Sequence, residues 1–196
     1  MTENQPSLFR YRVKLLALIG VFLVPFIGGW LALYVFDVRP EATNYGTLVQ
    51  PVKKVSWGNI LTQDSVQLEQ ELARRWAFVL FARGGCKEEC QQALYLMRQI
   101  RSLLARDHDR LRNVLVLSGK VDESLKTYLV DYPGVIVIEN MSKTNLTDQF
   151  SMNRQKPLGS YLVDPDKNLM MVYPENFDEY RVLEDLKKLM KLSQIG

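Results

Sequence analysis

The sequence predicts a small α/β sandwich that follows one membrane-spanning helix. Two observations predict this fold class: an uncharged apolar run near the N-terminus, and an alternation of strand-like apolar runs with amphipathic segments. The chain has 196 residues and is 47% hydrophobic, with 25 basic and 22 acidic residues. This length fits one domain with an appended element, and the near-balance of charge excludes a nucleic-acid binder that relies on a basic surface.

The first element is the uncharged run over residues 15–36, which is long enough to cross a bilayer core as a helix of about 20 residues. A cleaved secretory signal is the alternative, but its apolar region spans only about 7–15 residues and ends in a small-x-small site. Arg10, Arg12 and Lys14 precede the run, so the positive-inside rule leaves residues 1–14 in the cytoplasm. The short N-terminal segment does not resemble a mitochondrial presequence. We therefore predict a single-pass protein of the bacterial inner membrane with a periplasmic C-terminal domain.

Residues 37–63 are predicted to form a tether between the membrane helix and a globular domain at residues 64–196. The tether is rich in turn-forming and β-branched residues without sustained periodicity, and it can add a short strand before Trp57. The spacing of apolar residues over 65–75 then predicts a short helix.

The globular domain is predicted to alternate strands with helices. Buried strands are expected at residues 76–81, 114–117 and 135–138, separated by a long helix that follows Cys90 and a short helix near residues 124–130. Apolar runs at 160–163 and 169–173 flank the turn-forming cluster at 164–168, which predicts a β-hairpin. Apolar residues at a three-residue spacing from Phe177 to Leu189 predict a final helix that packs on the sheet.

Cys86 and Cys90 lie where the first buried strand gives way to its helix. Functional residues gather at this edge of open α/β sheets, and the amides of a helix N-terminus stabilise a thiolate. Residues four apart in a regular helix hold their Cβ atoms about 5–6 Å apart, whereas a disulfide needs about 3.5–4.5 Å. If the two bridge, we expect Cys86 in the loop or at the cap as the more exposed, attacking sulfur, and Cys90 in the first turn as the resolving one.

The cysteine pair allows four interpretations. It can exchange disulfides with a partner, donate two soft thiolates to Cu(I), form an inert structural bridge, or consist of free thiols without a function. Glu88 and Glu89 oppose ionisation of a neighbouring thiol, while Arg83 and Lys87 favour it. The sequence therefore does not decide whether these charges together favour or oppose ionisation of the cysteine thiols.

The segment from Trp76 to about Leu192 resembles the SCO/SenC family, membrane-anchored thioredoxin-like proteins that assist assembly of the copper centres of cytochrome oxidase. The single N-terminal anchor, the Cys86-x3-Cys90 pair after an apolar strand, and Tyr161-Leu162-Val163-Asp164-Pro165-Asp166 at the hairpin carry the resemblance. It implies a thioredoxin-like sandwich and a role in oxidase biogenesis. It also implies copper as a cargo, with a respiratory oxidase subunit or another assembly factor as the partner.

The chain departs from this family at the third copper ligand. The family binds copper through the two cysteines and a histidine five residues before the aromatic residue of the hairpin, where this chain has Lys156. The single histidine, His108, is expected to be an exposed loop residue. Met152, Met170 and Met171 are alternative donors, although methionines in buried strands usually pack in the core. Loss of the histidine removes the best reason to expect tight copper binding.

A retained cysteine pair without the copper histidine favours thiol–disulfide exchange with a partner's cysteines, so Cys86 and Cys90 are the predicted redox-active residues. A Cu(I) chaperone that uses the same pair, and a non-catalytic scaffold with a structural disulfide, are the alternatives. Pro157 lies close to the position where thioredoxin-like oxidoreductases carry a cis-proline. A cis Pro157 would lie against the sulfurs, while the frequency of cis X-Pro bonds, about 5–6%, favours an ordinary trans loop proline.

Overall fold

One long helix, α1, forms a separate unit near the start of the chain. The computed structural model describes residues 8–35, 44–57, 65–82, 86–139, 146–150 and 159–193. α1 spans Leu8–Tyr34, and its segment Phe9–Leu31 is long and apolar enough to cross a membrane. The helix begins before residue 15 because Arg and Lys are good helix formers and nothing in the basic flank breaks it. Phe36, the last residue of the predicted span, lies outside the described residues.

The second unit, Asn44–Gly196, contains a mixed sheet flanked by helices. Its described strands are β1 (Thr47–Lys54), β2 (Trp76–Ala82), β3 (Leu111–Leu117), β4 (Val135–Ile138), β5 (Gly159–Val163) and β6 (Asn168–Tyr173). Its described α-helices are α2 (Ser65–Leu72), α3 (Glu88–Leu103), α4 (Glu123–Leu129), α5 (Leu146–Phe150) and α6 (Glu179–Leu192). A 3₁₀ helix, Ala105–Arg110, connects α3 to β3.

The strands lie in the order β1-β6-β5-β2-β3-β4. β2, β3 and β4 are parallel, whereas β5 runs antiparallel to β2 and β6, and β1 runs antiparallel to β6. β6 therefore runs in the same direction as β2. The carboxyl ends of β2, β3, β4 and β6 consequently meet at one edge of the sheet, which is the edge that carries the cysteine pair.

Each face of the sheet has its own apolar core. On one face, alternate residues of β2 such as Phe78 pack with Leu94 and Met97 of α3 and with Leu186 of α6. On the other face, residues such as Phe81 pack with α2 and α5, and the rings of Phe81 and Phe150 lie 5.0 Å apart. All residues of β2 are buried because helices cover both of its faces.

The predicted α/β sandwich and its hairpin are confirmed. β4 has the predicted bounds, and β5 and β6 pair across the expected turn, where the backbone N–H of Asp164 donates to the carbonyl of Asn168 at 2.9 Å. β3 begins earlier than expected, at Leu111. The 3₁₀ helix and α5 are additional elements that the sequence patterns do not predict.

A buried carboxylate binds the chain just before β1, in addition to the pairing of β1 in the sheet. Asp185 of α6 is 2% exposed and accepts hydrogen bonds from the backbone N–H groups of Tyr45 and Gly46, each at 2.9 Å. β1 is the strand that was expected before Trp57. The second unit starts earlier than residue 64, because β1 pairs with β6 and so part of the predicted tether belongs to the sheet.

Candidate functional site

Cys86 and Cys90 form a disulfide between the end of β2 and the start of α3. Cys86 directly precedes the helix N-cap, Lys87, and Cys90 is the third residue of the helix. Their Cα atoms lie 5.1 Å apart. The expected placement, with Cys86 before the helix and Cys90 in its first turn, is confirmed. Bridging requires it, because Cys86 must leave the helical path for the sulfurs to meet.

Hydrogen bonds around Gln91 fix the backbone at the pair. The Gln91 side-chain amide donates to the carbonyl oxygen of Cys86 at 3.2 Å, and the Gln91 backbone N–H donates to the carbonyl of Lys87 at 2.9 Å. The Tyr128 hydroxyl of α4 donates to the carbonyl of Gln91 at 3.1 Å and lies 2.8 Å from the Tyr132 hydroxyl. Burial raises the pKa of Tyr128, so this hydroxyl stays protonated and remains a donor.

The order of exposure is the reverse of the expected one. Cys86 is 6% exposed and belongs to the core between the sheet and helices α3 and α6, whereas Cys90 is only partly buried. The loop position of Cys86 favoured an exposed sulfur. The core between the sheet and helices α3 and α6 instead covers this side chain, although it precedes the helix.

A cavity of about 990 Å³ among the described residues opens beside the disulfide. Both cysteines line it, together with charged side chains from the ends of neighbouring elements: Lys87, Glu88, Glu89, Asp122 and Glu175. The described lining thus has four carboxylates and one amine. Room for a partner's side chains lies directly at the disulfide.

The electrostatic environment of the pair has two opposing parts. Lys87 offers no side-chain acceptor to the first amides of α3, so these N–H groups and the helix dipole can stabilise a thiolate at the pair. Glu88 and Glu89 are exposed in the same turn and oppose negative charge on sulfur. The site can therefore carry out thiol chemistry. The reduction potential of the pair depends on the competition between the helix N-terminus and the two carboxylates.

Asp122 and Glu175 are site residues that the sequence analysis did not identify. Asp122 follows β3 and caps α4, accepting from the N–H of Leu125 at 2.7 Å, and Glu175 follows β6. Both strands end at the same sheet edge as β2. The sequence shows that each residue follows a strand. It does not show that β6 runs in the same direction as β2, and this direction is what places Glu175 near the cysteines.

His108 lies away from the cysteine pair. It belongs to the 3₁₀ helix beyond the far end of α3, and the stretch of α3 after Cys90 is about 20 Å long at about 1.5 Å per residue. Its side chain is about half exposed, with Nδ1 2.6 Å from the carbonyl oxygen of Ala105 and Nε2 3.3 Å from the Asp109 carboxylate. The exposed histidine that we expected is confirmed, and it does not contribute to the site.

Two of the three alternative methionine donors, Met170 and Met171, lie on β6. Lys156, Pro157 and Met152 lie outside the described residues. Met171 is fully buried in the core, where its sulfur accepts a hydrogen bond from the Tyr173 hydroxyl at 3.3 Å. The residues that the structure describes contain no group of three or more His, Cys, Asp and Glu side chains arranged to hold a metal ion.

Residues 76–193 match the family model described as the transmembrane-like, thioredoxin-like, C-terminal domain. The chain belongs to this family. This thioredoxin-like protein matches no curated protein sequence.

Several solved structures are similar to part of the chain at low sequence identity. Yeast Sco1 is 17% identical with a TM-score of 0.52, over 64% of this chain and 85% of the other. Copper-bound ScoI of Bradyrhizobium japonicum is 14% identical with a TM-score of 0.48, over 61% of this chain and 88% of the other. The thioredoxin domain of a thiol-disulfide oxidoreductase from Bacteroides vulgatus is 10% identical with a TM-score of 0.45, over 77% of this chain and 99% of the other.

Proposed function

We propose that this protein is a membrane-anchored, extracytoplasmic thiol–disulfide oxidoreductase that acts in cytochrome c oxidase biogenesis on a partner's cysteines. The observation that carries the proposal is the Cys86–Cys90 disulfide at the functional edge of a thioredoxin-like sheet, beside an open cavity. A disulfide in an inert structural role needs no cavity at its sulfurs. One in exchange needs room for the partner's thiol.

The exchange transfers two electrons between two dithiol–disulfide pairs. When the partner's dithiol reduces the Cys86–Cys90 bond, the partner acquires a disulfide and this protein acquires two thiols. In the opposite direction, the reduced pair converts a partner's disulfide to thiols. A cysteine binds copper as a thiolate and not as part of a disulfide, so the second direction would prepare cysteine ligands of an oxidase copper centre for metal.

The partner class follows from the sequence features that resemble the SCO/SenC family. The N-terminal helix that can cross a membrane supports a partner at the same membrane, such as a respiratory oxidase subunit or another assembly factor. A periplasmic location supports the chemistry, because disulfides persist in oxidising compartments.

The reduction potential of the pair tests the exchange function. The full chain in detergent micelles is equilibrated with glutathione buffers, and the oxidised fraction is measured by alkylation and mass spectrometry. Exchange predicts a potential between about −270 and −120 mV, the range of known exchange catalysts. A potential below about −300 mV, where structural disulfides lie, would favour a scaffold with an inert bridge.

A cellular test addresses oxidase biogenesis. Cys86→Ser and Cys90→Ser are each expected to lower the amount of assembled oxidase in a strain that depends on this protein. His108→Ala serves as the control, because His108 lies away from the pair. Unchanged oxidase assembly in both cysteine variants would contradict the proposed role.

Delivery of Cu(I) is the second candidate function, and it is supported by two sulfurs held within one turn of each other. Two thiolates suit Cu(I) as a cargo. Titration of the reduced full chain against a competing Cu(I) chelator tests it. One-to-one binding that is lost in Cys86→Ala and kept in His108→Ala would favour delivery, and absence of binding would leave exchange as the function.

A further inference from the structure

We infer that the second unit has a further binding site, for an organic phosphate monoester, at the edge of the sheet opposite the cysteine pair. The site is a cavity of about 420 Å³ at the amino ends of β3 and β4. The end of α3, the 3₁₀ helix and the chain that leads into β4 line it. This volume lies within the range of small-molecule pockets, about 300–1,000 Å³. The inference does not depend on the proposed exchange function.

Two arginines of α3 supply cationic donors to the cavity. Arg98 and Arg101 are three residues apart, so their side chains lie on the same face of the helix. Arg98 donates from Nη1 to the carbonyl oxygen of Asp131 at 3.1 Å, and its Cζ lies 5.3 Å from the centre of the Tyr132 ring. Arg101 donates from Nε to the carbonyl oxygen of Leu111 at 3.2 Å. These contacts position both guanidinium groups and use only part of their N–H donors, so the rest can bind an anion.

Gly134 gives the Arg101 guanidinium its place at the cavity. A Cβ atom at Gly134 would lie 2.9 Å from Nη1 of Arg101, which is closer than Cβ atoms approach other atoms in folded proteins. The lack of a side chain therefore lets the guanidinium lie against the backbone. Nη2 of Arg101 is 3.7 Å from the carboxylate of Asp109, whose side chain is 70% exposed. So exposed and long a contact neutralises the arginine only weakly.

A buried amide lies at the same cavity. Asn113 is 2% exposed and lines the cavity, and its Oδ1 atom has no hydrogen-bond partner among the described residues. Buried side-chain polar atoms in folded proteins usually have a partner, so this atom requires an explanation. Because no bond to the protein holds Oδ1 in place, the amide can turn its N–H donors toward a bound anion.

The electrostatic field at this edge of the sheet is positive. Burial lowers the pKa of the neighbouring Arg112, and the charges of Arg75 and Arg101 lower it further. Asp109 and Glu71 raise the pKa of Arg112 by less than either arginine lowers it. The repulsion between these guanidinium groups falls when an anion binds beside them.

The donors and the walls of the cavity together match a phosphate that is attached to an organic group. Two guanidinium groups and one amide can bind the three terminal oxygens of a phosphate monoester, whereas a carboxylate has only two oxygens. The Tyr132 ring, Pro133 and Val135 supply an apolar wall for the organic part. Asp131 is the one acidic residue of the described lining, and its side chain is exposed at the rim.

Calorimetric titration of the full chain in neutral detergent micelles with phenyl phosphate tests the site. We expect saturable one-to-one binding. Gly134→Ala should weaken it about ten-fold, because the added Cβ displaces the Arg101 guanidinium without changing any charge. Arg98→Gln should weaken it by about the same factor through loss of a charged donor. Arg106→Gln, an exposed arginine outside the described lining, is the matched control and should bind like the wild-type protein.

Three results would overturn the inference: no saturable binding by the wild-type protein, unchanged affinity in both cavity variants, or an equal loss in Arg106→Gln. The unfolding temperature and the rate of reduction of the disulfide by glutathione are measured for each variant. Both should stay at the wild-type value, because the cavity lies at the opposite edge from the cysteines. If Gly134→Ala unfolds, Arg98→Gln decides, since Arg98 is exposed on the helix surface.

Two further ligands test the chemical class and its source. Benzoate has the same ring with a carboxylate and should bind about ten-fold more weakly than phenyl phosphate. Equal or tighter binding of benzoate would overturn the assignment to a phosphate. Dihexanoyl phosphatidic acid carries the same phosphate monoester on a lipid. Competition with phenyl phosphate would favour a membrane lipid as the source of the phosphate, and lack of competition would favour a soluble phosphate ester.

Discussion

At the scale of single residues, the carboxylates around the disulfide oppose the thiolates that exchange requires. Glu88 and Glu89 lie in the first turn of α3, and Asp122 and Glu175 enter the same cavity from the ends of other elements. Negative charge near sulfur disfavours a thiolate, while the helix N-terminus favours it. The reduction potential of the pair should therefore respond to the charge of these side chains.

Neutralising the two first-turn carboxylates should make the disulfide more oxidising. In Glu88→Gln/Glu89→Gln the reduced form gains stability because its thiolates lose repulsion, so the reduction potential should rise by about 10–20 mV. Equilibration with glutathione measures the change. Glu184→Gln, an exposed position on α6, is the control and should leave the potential unchanged. A lower potential in the double variant would contradict this electrostatic account.

The buried Asp185 should contribute strongly to stability. It accepts from the N–H groups of Tyr45 and Gly46, and Asp185→Ala leaves one partly buried and one buried donor without their acceptor. We expect the free energy of unfolding to fall by about 2–4 kcal/mol. Thermal unfolding followed by tryptophan fluorescence measures the loss. The exposed Asp166→Ala should unfold like the wild-type protein, and an equal effect of both substitutions would show that the buried contacts are not responsible.

Tyr173 should make the folded state sensitive to alkaline pH. Burial raises the pKa of Tyr173, and the neighbouring Asp185 carboxylate raises it further. Above about pH 10 the unfolded chain loses this proton while the folded chain keeps it, so stability falls by about 1.4 kcal/mol per pH unit from this group. Tyr173→Phe should flatten the decline in Tm between about pH 10 and pH 11.5. An unchanged slope in the variant would assign the alkaline loss to other groups.

At the scale of elements, α3 positions the site through its buried face. Leu94 and Met97 are fully buried against the sheet, whereas Leu103 at the end of the same helix is 43% exposed. Cys90 is carried on the first turn of this helix. The packing that holds α3 on the sheet therefore also holds Cys90 next to Cys86.

Removing buried side-chain volume from α3 should cost far more stability than removing it from the exposed end. Leu94→Ala should lower the free energy of unfolding by about 2–5 kcal/mol, because it deletes buried methyl groups and leaves a cavity. Leu103→Ala is the matched control and should change it by less than about 1 kcal/mol. Denaturant unfolding measures both. Similar losses in the two variants would contradict the packing described for α3.

Sequence periodicity predicted the elements that have a long run or repeat of buried apolar residues. It missed the short elements that lack one. The central strand β2 and the hairpin were predictable because continuous or paired apolar runs bounded by turn residues form strands. The 3₁₀ helix has no buried residue, and α5 has only five residues, so neither repeats an apolar pattern long enough to recognise. β3 begins with Leu111-Arg112-Asn113. The polar residues in this segment interrupt the apolar run, so its pairing with β2 was not predicted.

The position of the cysteine pair could be predicted, but its exposure could not. A strand followed by glycines and then by a helix places Cys86 and Cys90 at the sheet edge on local grounds alone. The burial of Cys86 depends on how the core between the sheet, α3 and α6 closes over it, which is a tertiary property. The same holds for Glu175, whose approach depends on the direction of β6.

At the scale of the whole molecule, function depends on the compartment that the second unit occupies. A disulfide that is oxidised and reduced by partners needs an environment that does not keep all thiols reduced. α1 is long and apolar enough to cross a membrane, and its first turns contain Arg10, Arg12 and Lys14. The positive-inside rule predicts that these residues remain in the cytoplasm and that the thioredoxin-like unit is exported.

Removal of the basic flank should disturb this orientation. A reporter enzyme that is active only after forming disulfides outside the cytoplasm is fused after Gly196 and assayed in bacterial cells. Arg10→Gln/Arg12→Gln/Lys14→Gln should lower its activity several-fold, because lysine and arginine flanks set the direction of insertion. The control neutralises three exposed lysines of α6, Lys187→Gln/Lys188→Gln/Lys191→Gln, and should retain full activity. An inactive wild-type fusion would place the Cys86–Cys90 pair in the reducing cytoplasm, and the proposed extracytoplasmic exchange would then be wrong.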